Sequence, residues 1–282
     1  MTAAWTLAAL VAFAGNSLLC RLALGAGLID AASFTTIRIA SGAMLLVAIA
    51  NTRARGRGSR APGWLSAFVL FVYAIPFSYA YLSLPAGTGA LLLFGAVQTT
   101  MLATAILSGE RPGPLEWLGL AGATAGLVYL VSPGLSAPPP GGAALMLVAG
   151  VCWGFYSLLG RRATDPLAET ATNFVRCLPL VALVSAVTIR NAHVSVNGAL
   201  LAAVSGAVTS GLGYVAWYTA LPRLTATRAA TVQLAVPVIA AAGGVAAMGE
   251  EVTVRLVTAA VLVLGGIGLA TFVRRRPVLQ SR

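Results

Sequence analysis

The middle of this 282-residue chain contains SPGLSAPPPGG at residues 132–142. Proline lacks the amide hydrogen that a helix interior needs, and glycine weakens a helix, so this segment predicts a break in regular structure. Apolar stretches long enough to cross a bilayer lie on both sides of the break. The sequence therefore predicts two halves, residues 1–132 and 143–282, joined by a Pro/Gly-rich seam at residues 133–142.

The composition is that of an integral membrane protein. Apolar residues make up 59% of the chain and charged residues 9%, whereas soluble domains carry about 25% charged residues. Windows such as 86–108 and 141–160 contain no charge. This pattern favours spanning helices over the short alternating strands of a membrane β-barrel, so the predicted class is an all-α integral membrane protein.

Ten apolar segments are long enough to span the bilayer. They cover residues 3–24, 33–50, 64–84, 87–107, 115–131, 143–160, 167–189, 198–220, 226–247 and 254–273. Most of the arginines behind the net charge of +11 lie at the ends of these segments. The charge therefore indicates membrane topology, with the lipid bilayer as partner and no nucleic acid.

The distribution of arginine predicts the orientation. With both termini in the cytoplasm, the outer loops hold only Arg21, Arg190 and Arg255. The cytoplasmic loops then hold thirteen arginines: Arg53, Arg55, Arg57, Arg60, Arg111, Arg161, Arg162, Arg223, Arg228, Arg274, Arg275, Arg276 and Arg282. This arrangement satisfies the positive-inside rule for a bacterial inner-membrane protein with a periplasmic seam. Because each half has five spans, the second half enters the membrane inverted, as in many secondary transporters.

Internal matches indicate that the two halves arose by duplication. A displacement of 140 residues aligns residues 17–21 with 157–161, and it aligns 109–110 with 249–250. Displacements of 137 and 138 align 84–85 with 221–222 and Arg38 with Arg176. The matches keep one order along the chain, so the predicted fold is two inverted five-helix repeats.

The aligned halves resemble a known transporter superfamily. The matching residues are Trp217-Tyr218-Thr219-Ala220-Leu221-Pro222, Ala229-Ala230-Thr231, Leu234, Pro237-Val238, Gly249-Glu250-Glu251, Trp153-Gly154, Arg161 and Arg176. They resemble the ten-helix drug/metabolite transporter superfamily of the EamA type. The first half departs from this pattern, because Val97 stands where Pro237 predicts proline and Phe13-Ala14-Gly15 replaces the Trp-Gly pair.

Within that superfamily the chain most resembles the YddG-like aromatic amino-acid exporters. The resemblance implies a small-molecule substrate, namely an amino acid and preferably an aromatic one, exported by alternating access between the repeats. An exporter of another neutral metabolite or drug with the same fold is the alternative.

Trp153 is the tryptophan that lies away from the ends of its span. Trp5, Trp64, Trp117 and Trp217 lie near cytoplasmic ends, where an interfacial aromatic belt forms. Tyr156 and Ser157 follow Trp153 at i+3 and i+4 and share its helical face, and the repeat places Phe13 and Asn16 on the matching face of the first span. These five residues are candidates to bind substrate, with ordinary helix packing as the alternative.

Further candidates are polar, aromatic or proline residues inside spans. Gln98 and Gln233 carry amides that hydrocarbon cannot satisfy, so they bind either a neighbouring helix or the substrate. Pro76 and Pro237 remove helix hydrogen bonds and predict gating kinks. Tyr79, near Pro76, and Tyr214, after Gly211-Leu212-Gly213, are second candidates to line the pathway.

Two arginines, Arg38 and Arg176, lie well inside spans. Each must reach a cavity, a carbonyl or an interface, since an unpaired guanidinium is costly in hydrocarbon. Either could bind a substrate carboxylate, but their positions near span ends favour snorkelling or structural bonding.

Spans five and ten are predicted to be peripheral. They carry no charge or amide at mid-depth, and their Gly122-x-x-x-Gly126 and Gly265-Gly266-x-Gly268 patterns favour close helix packing.

The acidic residues and the histidine lie in or beside loops. They are Asp30, Glu110, Glu116, Asp165, Glu169, Glu250, Glu251 and His193. Proton relays and sites for cationic drugs need a carboxylate or imidazole within the membrane, so the pattern favours passive or substrate-driven export. It also predicts no metal site, no cofactor, and neither an enzyme nor an ion channel.

Overall fold

A computed structural model describes residues 2–52, 63–109, 113–134, 136–160, 163, 165–220, 223–224 and 232–273. Within these residues the chain forms ten apolar helices. They are α1 (Thr2–Gly25), α2 (Ala31–Thr52), α3 (Trp64–Ala80), α4 (Ala86–Leu107), α5 (Pro114–Val131), α6 (Pro140–Gly160), α7 (Pro166–Val187), α8 (Val196–Ala220), α9 (Ala235–Met248) and α10 (Val254–Val273). Seven are long and apolar enough to cross a membrane, and α3, α9 and the apolar part of α10 are shorter.

The all-α prediction is confirmed, and the ten helices follow the ten predicted spans. Helix α6 begins at Pro140 instead of residue 143, because proline fits the first turn of a helix, where its missing amide hydrogen is not needed. Helix α3 ends at Ala80 instead of residue 84; the next residues form a turn that leads to Pro85, and the residue before proline disfavours helix.

Several predicted features lie outside the described residues. They are the basic segment 53–60, Glu110, Arg111, Arg161, Arg162, the Leu221-Pro222 pair, residues 225–231 with Arg228, and the arginines at 274–276 and 282. The predicted start of span nine at residue 226 belongs to this set, and the described helix α9 begins at Ala235.

Helix α8 departs from regular α-helix at its centre. Residues Ser205–Leu212 form a π-helical segment between the α-helical turns Val196–Val204 and Gly213–Ala220. The small residues of this segment let α8 approach α2 closely, since a Cβ added to Gly206 would lie 2.0 Å from the carbonyl oxygen of Arg38. A π-helical segment inside a helix is frequent at functional sites.

The helices pack in reciprocal pairs. Helix α3 packs on α6 and α8 packs on α1, while α4 packs on α6 and α9 packs on α1. The remaining large contacts join α2 with α8, α3 with α7, α2 with α7, α4 with α9, and α5 with α10. Exchanging the two halves maps this set of contacts onto itself, which is the pattern that two repeats packed face to face produce.

Helices α5 and α10 pack closely against each other at glycine residues. A Cβ on Gly266 would lie 2.5 Å from the carbonyl oxygen of Gly119, and one on Gly126 would lie 2.8 Å from Leu262. Gly265 and Gly268 also belong to the predicted pattern, but a Cβ added to either would meet no atom within 4 Å. The crossing therefore uses Gly119, Gly126 and Gly266, and only part of the predicted glycine pattern.

The loops at 26–30, 81–85, 132–134, 136–139, 188–195 and 249–253 lie at one end of the bundle, which we call the seam face. Arg255 donates hydrogen bonds to the carbonyls of Leu130, Ser132 and Pro133, and so caps the C-terminus of α5 with positive charge. An antiparallel bridge joins Ile29 to Val194. The opposite end of the bundle is called the far face.

Candidate functional site

A small cavity lies in the centre of the bundle. It is lined by Phe13, Asn16, Ser17, Arg38, Tyr73, Phe77, Leu93, Phe94, Trp153, Thr209, Ser210 and Tyr214, which belong to α1, α2, α3, α4, α6 and α8. No described residue of α5 or α10 takes part, in keeping with their predicted peripheral place. The cavity has room for about one or two water molecules. A larger molecule enters only if the lining helices separate.

Helical spacing explains how three of the helices present their lining residues. On α1, Phe13, Asn16 and Ser17 follow at i+3 and i+4, and on α3, Tyr73 and Phe77 are four residues apart. Asn16 is nine residues from the seam-face end of α1 and fourteen from the other end, or about 14 Å and 21 Å at about 1.5 Å per residue. The cavity is therefore deep within the membrane-spanning part of the bundle.

Arg38 is the charged residue of this cavity. It is 2% exposed, and its Nη2 donates to the Tyr73 hydroxyl at 3.4 Å. The guanidinium carbon lies 4.8 Å from the ring centre of Phe77 and 5.5 Å from that of Tyr73. Among the described residues, Nε and Nη1 have no hydrogen-bond partner. The sequence left snorkelling or structural bonding open for Arg38. The side chain points into the bundle and does not snorkel, and its contacts with Tyr73 and Phe77 are structural bonding.

Arg176, the repeat mate of Arg38, has different surroundings. It is half-buried, and its guanidinium lies 5.4 Å from the ring centre of Trp64 near the far face. It does not line the central cavity. The two arginines that the repeat aligns therefore differ in burial and in position.

Aromatic rings separate the central cavity from a second one toward the far face. Trp153 stacks on Tyr156 with ring centres 5.5 Å apart, and Tyr214 stacks on Tyr218 at 6.2 Å. Trp153 and Tyr214 are 5.4 Å apart and join the two stacks. The second cavity is lined by Ser66, Tyr156, Gly160, Ala163, Pro166, Glu169, Thr170, Asn173 and Tyr218.

Four predicted site residues meet at the central cavity: Phe13, Asn16, Trp153 and Tyr214. Phe13 and Trp153 do not touch directly but both contact Tyr214, at 6.2 and 5.4 Å. The carbonyl oxygen of the Asn16 amide accepts a hydrogen bond from Ser205 Oγ at 2.7 Å. The rings around Trp153 already cover much of its surface, so a substrate ring must displace Tyr73, Tyr156 or Tyr214 to stack on it.

Two predicted site residues on α6 do not face the central cavity. Ser157 donates to the carbonyl of Trp153 at 2.8 Å, as serine commonly does with the residue four positions earlier. Tyr156 is buried, faces the second cavity and accepts a hydrogen bond from Asn173 Nδ2 at 3.3 Å.

Three further predicted residues also lie away from the central cavity. Gln98 is buried one turn beyond Phe94 on α4, and its Nε2 has no partner. Gln233 is half-buried just before α9. Tyr79 is half-buried and packs against the core. None of the three lines the cavity.

The two predicted gating prolines differ in their helical setting. Pro76 lies inside α3, which stays helical from Trp64 to Ala80. Pro237 lies in the first turn of α9, which begins at Ala235 after a turn at Leu234. Residues 232–233 before this turn are helical, so the helix is interrupted at Leu234, where the missing amide hydrogen of Pro237 leaves the Gln233 carbonyl without its helix partner. The break agrees with the predicted kink, and gating by the two prolines stays a prediction.

Trp217 also differs from its prediction. It is buried, and its ring centre is 5.9 Å from that of Phe13, whereas Trp5, Trp64 and Trp117 are exposed as an interfacial belt requires. Trp217 therefore supports the inner surface of α1 and does not face lipid.

Charged groups close the bundle at the seam face. Arg21 Nε and Glu250 Oε1 are 3.2 Å apart, and Glu250 accepts hydrogen bonds from the backbone amide of Ala86 at 2.8 and 3.0 Å. Arg21 also donates to the carbonyls of Tyr81 and Leu82. These contacts join α1, the α3–α4 turn, the start of α4 and the α9–α10 turn. The amide of Ala86 is at the N-terminus of α4, where negative charge is favoured.

The lining chemistry suits binding more than bond breaking. Hydroxyls and an amide, aromatic rings and one guanidinium surround the central cavity. The described residues contain no group of three or more His, Cys, Asp or Glu residues that could hold a metal ion. Such a site can hold a small molecule by hydrogen bonds, ring contacts and one positive charge.

Comparison with known proteins agrees with this arrangement. A family model described as the EamA-like transporter family matches residues 140–272. Uncharacterized protein PA1977 of Pseudomonas aeruginosa is 52% identical over 264 residues, which cover 94% of this chain and 92% of that protein. The threonine/homoserine exporter RhtA of Salmonella typhimurium is 29% identical over 266 residues, which cover 90% of this chain and 86% of that protein.

The fold is also that of a solved protein. A crystal structure matches with a TM-score of 0.64 at 24% sequence identity, and the match covers 97% of this chain and 98% of that chain. The chain is thus a multi-pass membrane transporter and not an enzyme. It belongs to the EamA-like transporter family, within the drug/metabolite transporter superfamily.

Proposed function

We propose that this protein exports amino acids across the bacterial inner membrane by alternating access, with the central cavity as its substrate site. The observation that carries the proposal is a polar and aromatic cavity deep in the bundle, lined by α1–α4 of the first half and by α6 and α8 of the second. Similarity to threonine/homoserine exporters over 90% of the chain supports amino acids as the substrate class.

The two moving units in this proposal are residues 1–132 and 143–282, joined by the seam at 133–142. Reciprocal packing of the helices supports their relation as inverted repeats. Both termini are cytoplasmic and the seam face is periplasmic, since this orientation leaves thirteen arginines inside and three outside. A cysteine placed at Ser136 then reacts with an impermeant maleimide in intact cells, and one placed at Ser59 does not. The reverse labelling would overturn the orientation.

In this orientation the cavity is closed at both ends. The Arg21–Glu250 contact and the bridge between Ile29 and Val194 hold the outer loops together. The stacked pairs Trp153–Tyr156 and Tyr214–Tyr218 block the cavity on the cytoplasmic side. Export then requires the aromatic layer to part for loading and the outer contacts to part for release.

Aromatic amino acids are the preferred substrates in this proposal. Six aromatic side chains line the cavity, and a substrate ring that displaced one of them would regain a ring contact worth about 0.5–1.5 kcal/mol. The second candidate is export of threonine or homoserine, which is favoured by the named relatives and by the hydroxyls of Ser17, Thr209 and Ser210.

Transport by the purified full chain in proteoliposomes tests both candidates. Vesicles loaded with radiolabelled phenylalanine, tryptophan, threonine or homoserine are diluted, and efflux is followed with and without a pH gradient. We expect efflux above that of empty liposomes, fastest for the aromatic substrates and not dependent on the gradient. Faster threonine efflux would select the second candidate, and no amino-acid efflux would refute the proposed function.

A further inference from the structure

The central cavity contains a buried cation, Arg38, whose hydrogen bonds the described residues do not satisfy. Arg38 is 2% exposed, and two of its three guanidinium nitrogens have no hydrogen-bond partner among those residues. The ion pair between Arg21 and Glu250 lies at the seam face and does not include Arg38. Burying a guanidinium is costly unless acceptors or an opposite charge compensate for its lost hydration.

The surroundings hold Arg38 in place without neutralising it. Its neighbours are the rings of Tyr73 and Phe77, which offer cation–π contact, and one tyrosine hydroxyl. The close approach of Gly206 to the Arg38 carbonyl fixes the backbone at this point. Arg38 is therefore a fixed cation in the cavity lining, with two nitrogen donors from which no described residue accepts.

We propose that Arg38 anchors a carboxylate group of the transported molecule. A carboxylate oxygen accepts from Nε or from Nη1, and a hydrogen bond between a guanidinium and a carboxylate is strengthened by charge. The inference rests on the proposed function, since it names the group by which the central site holds an amino acid.

The cavity also gives the bound molecule a direction. Arg38 is seven residues from the seam-face end of α2, or about 10 Å at about 1.5 Å per residue. Trp153 is seven residues from the far-face end of α6 and belongs to the aromatic layer. A carboxylate on Arg38 therefore faces the periplasm and the substrate side chain faces Trp153. Ser17 lines the cavity, and its Oγ, which is buried and has no hydrogen-bond partner among the described residues, can accept from the substrate ammonium.

Two probes separate carboxylate recognition from amine recognition. They are 3-phenylpropionate, which has the carboxylate but no amine, and phenethylamine, which has the amine but no carboxylate. Binding to the purified full chain in detergent is measured as a shift in thermal midpoint over a concentration series. We expect 3-phenylpropionate to stabilise the protein, and we expect phenethylamine not to, because the Arg38 cation repels its ammonium group.

Variants locate the effect on Arg38. Arg38→Gln is expected to weaken 3-phenylpropionate binding about tenfold to a hundredfold, the range for losing a charge-assisted hydrogen bond, and Arg38→Lys is expected to restore part of it. The matched control is Arg176→Gln, which removes the repeat-related arginine outside the cavity and is expected to bind as the wild type does.

Each outcome decides the inference. Equal binding of the two probes, no binding of either, or unchanged 3-phenylpropionate binding in Arg38→Gln would overturn it. If Arg38→Gln does not fold, the wild-type comparison of the two probes and the Arg38→Lys affinity decide alone. The proposed function fails separately: proteoliposomes that move no amino acid would refute it, even where carboxylate binding depends on Arg38.

Discussion

Glu250→Gln is expected to weaken closure of the outer end of the bundle. In the structure the Glu250 carboxylate accepts from the Ala86 amide at 2.8 and 3.0 Å and lies 3.2 Å from Arg21 Nε. Its side chain is 13% exposed and that of Arg21 is 24% exposed. The glutamine amide keeps one acceptor for Ala86 but loses the negative charge that faces both Arg21 and the α4 N-terminus.

The lost charge has two contributions. A partly exposed ion pair is worth about 1 kcal/mol or less, and a carboxylate at a helix N-terminus is worth about 0.3–1 kcal/mol, or up to about 2 kcal/mol when partly buried. The closed outer end should therefore lose about 1–3 kcal/mol relative to the open one. That loss corresponds to a roughly fivefold to hundredfold larger population of outward-open molecules.

Accessibility of a cavity residue measures this population. The three native cysteines are replaced by alanine, and a cysteine is placed at Ser17, which is buried on the cavity wall. Intact cells are treated with a membrane-impermeant maleimide, and the labelling rate is compared between backgrounds. We expect Glu250→Gln to label faster by the factor given above.

Glu251→Gln is the matched control, since it removes an adjacent, exposed carboxylate of the same charge. We expect it to label at the parent rate. Equal labelling of the Glu250→Gln and parent proteins would refute the role of this contact in outer closure. An equal increase in both glutamine variants would show an effect of loop charge and not of the contact.

Three further predictions concern the aromatic layer, the α5–α10 crossing and an outer loop. Trp153→Ala should weaken the apparent affinity for aromatic substrates by about tenfold to a hundredfold and that for threonine less, measured by substrate competition in proteoliposomes. The control is Phe155→Ala, whose ring is exposed on the same helix. Equal losses of affinity for aromatic substrates and for threonine would make Trp153 a packing residue. Gly266→Ala should lower the thermal midpoint, because its Cβ would lie 2.5 Å from a backbone oxygen of α5, while Gly265→Ala, in open space, should not. Burial alone would raise the pKa of Asp30, but hydrogen bonds from the backbone amides of the α2 first turn and of the α7–α8 loop hold it below its ordinary value. Because the folded-state pKa is depressed, Asp30→Ala should lower the stability of the protein at pH 7. The difference in stability from the wild type should vanish as the pH falls below about 3.9 and through the folded-state pKa, as measured in a pH series of melting curves. A difference that persists in acid would contradict this prediction.

The sequence predicts the ten spans because hydrocarbon thickness and exclusion of charge both mark each segment. It does not predict the π-helical segment Ser205–Leu212. This segment depends on how closely α8 approaches α2, and that approach is a tertiary contact. The sequence does predict the break before Pro237, because proline removes the hydrogen bond to the carbonyl four residues earlier, and the helix is interrupted at Leu234.

Depth within the membrane is easier to predict from sequence than the direction in which a side chain points. Tyr73, Phe77 and Tyr79 lie at similar depth around Pro76, but only the first two line the cavity. Helices that are apolar on all sides carry no polar face to reveal which side meets the interior. Spacing gives the missing signal, since residues four apart share a face and residues six apart do not.

Depth alone left two roles open for Arg38, snorkelling and structural bonding. The structure shows the second, since the side chain is buried and contacts residues of α3. Its neighbours on α3 provide the cation–π contacts that make an inward direction tolerable. These neighbours, Tyr73 and Phe77, lie 35 and 39 positions after Arg38 in the chain. The sequence of α2 alone therefore cannot reveal them.

The repeat relation explains which parts of the transporter should be symmetric and which should not. The displacement of 137 residues that aligns the halves maps Tyr214 and Tyr218 of α8 onto Phe77 of α3 and Tyr81 in the turn after it. Both are ring pairs four residues apart in contact, at 6.2 and 5.0 Å, and Tyr81 lies at the seam face. If the halves are inverted as proposed, one pair closes each end of the cavity, so opening either end requires the same kind of ring separation. The guanidinium on the cavity wall has no such mate, because Arg176 lies outside the cavity. Gating is then shared by both halves, whereas the orientation of the bound substrate is set by the first half alone.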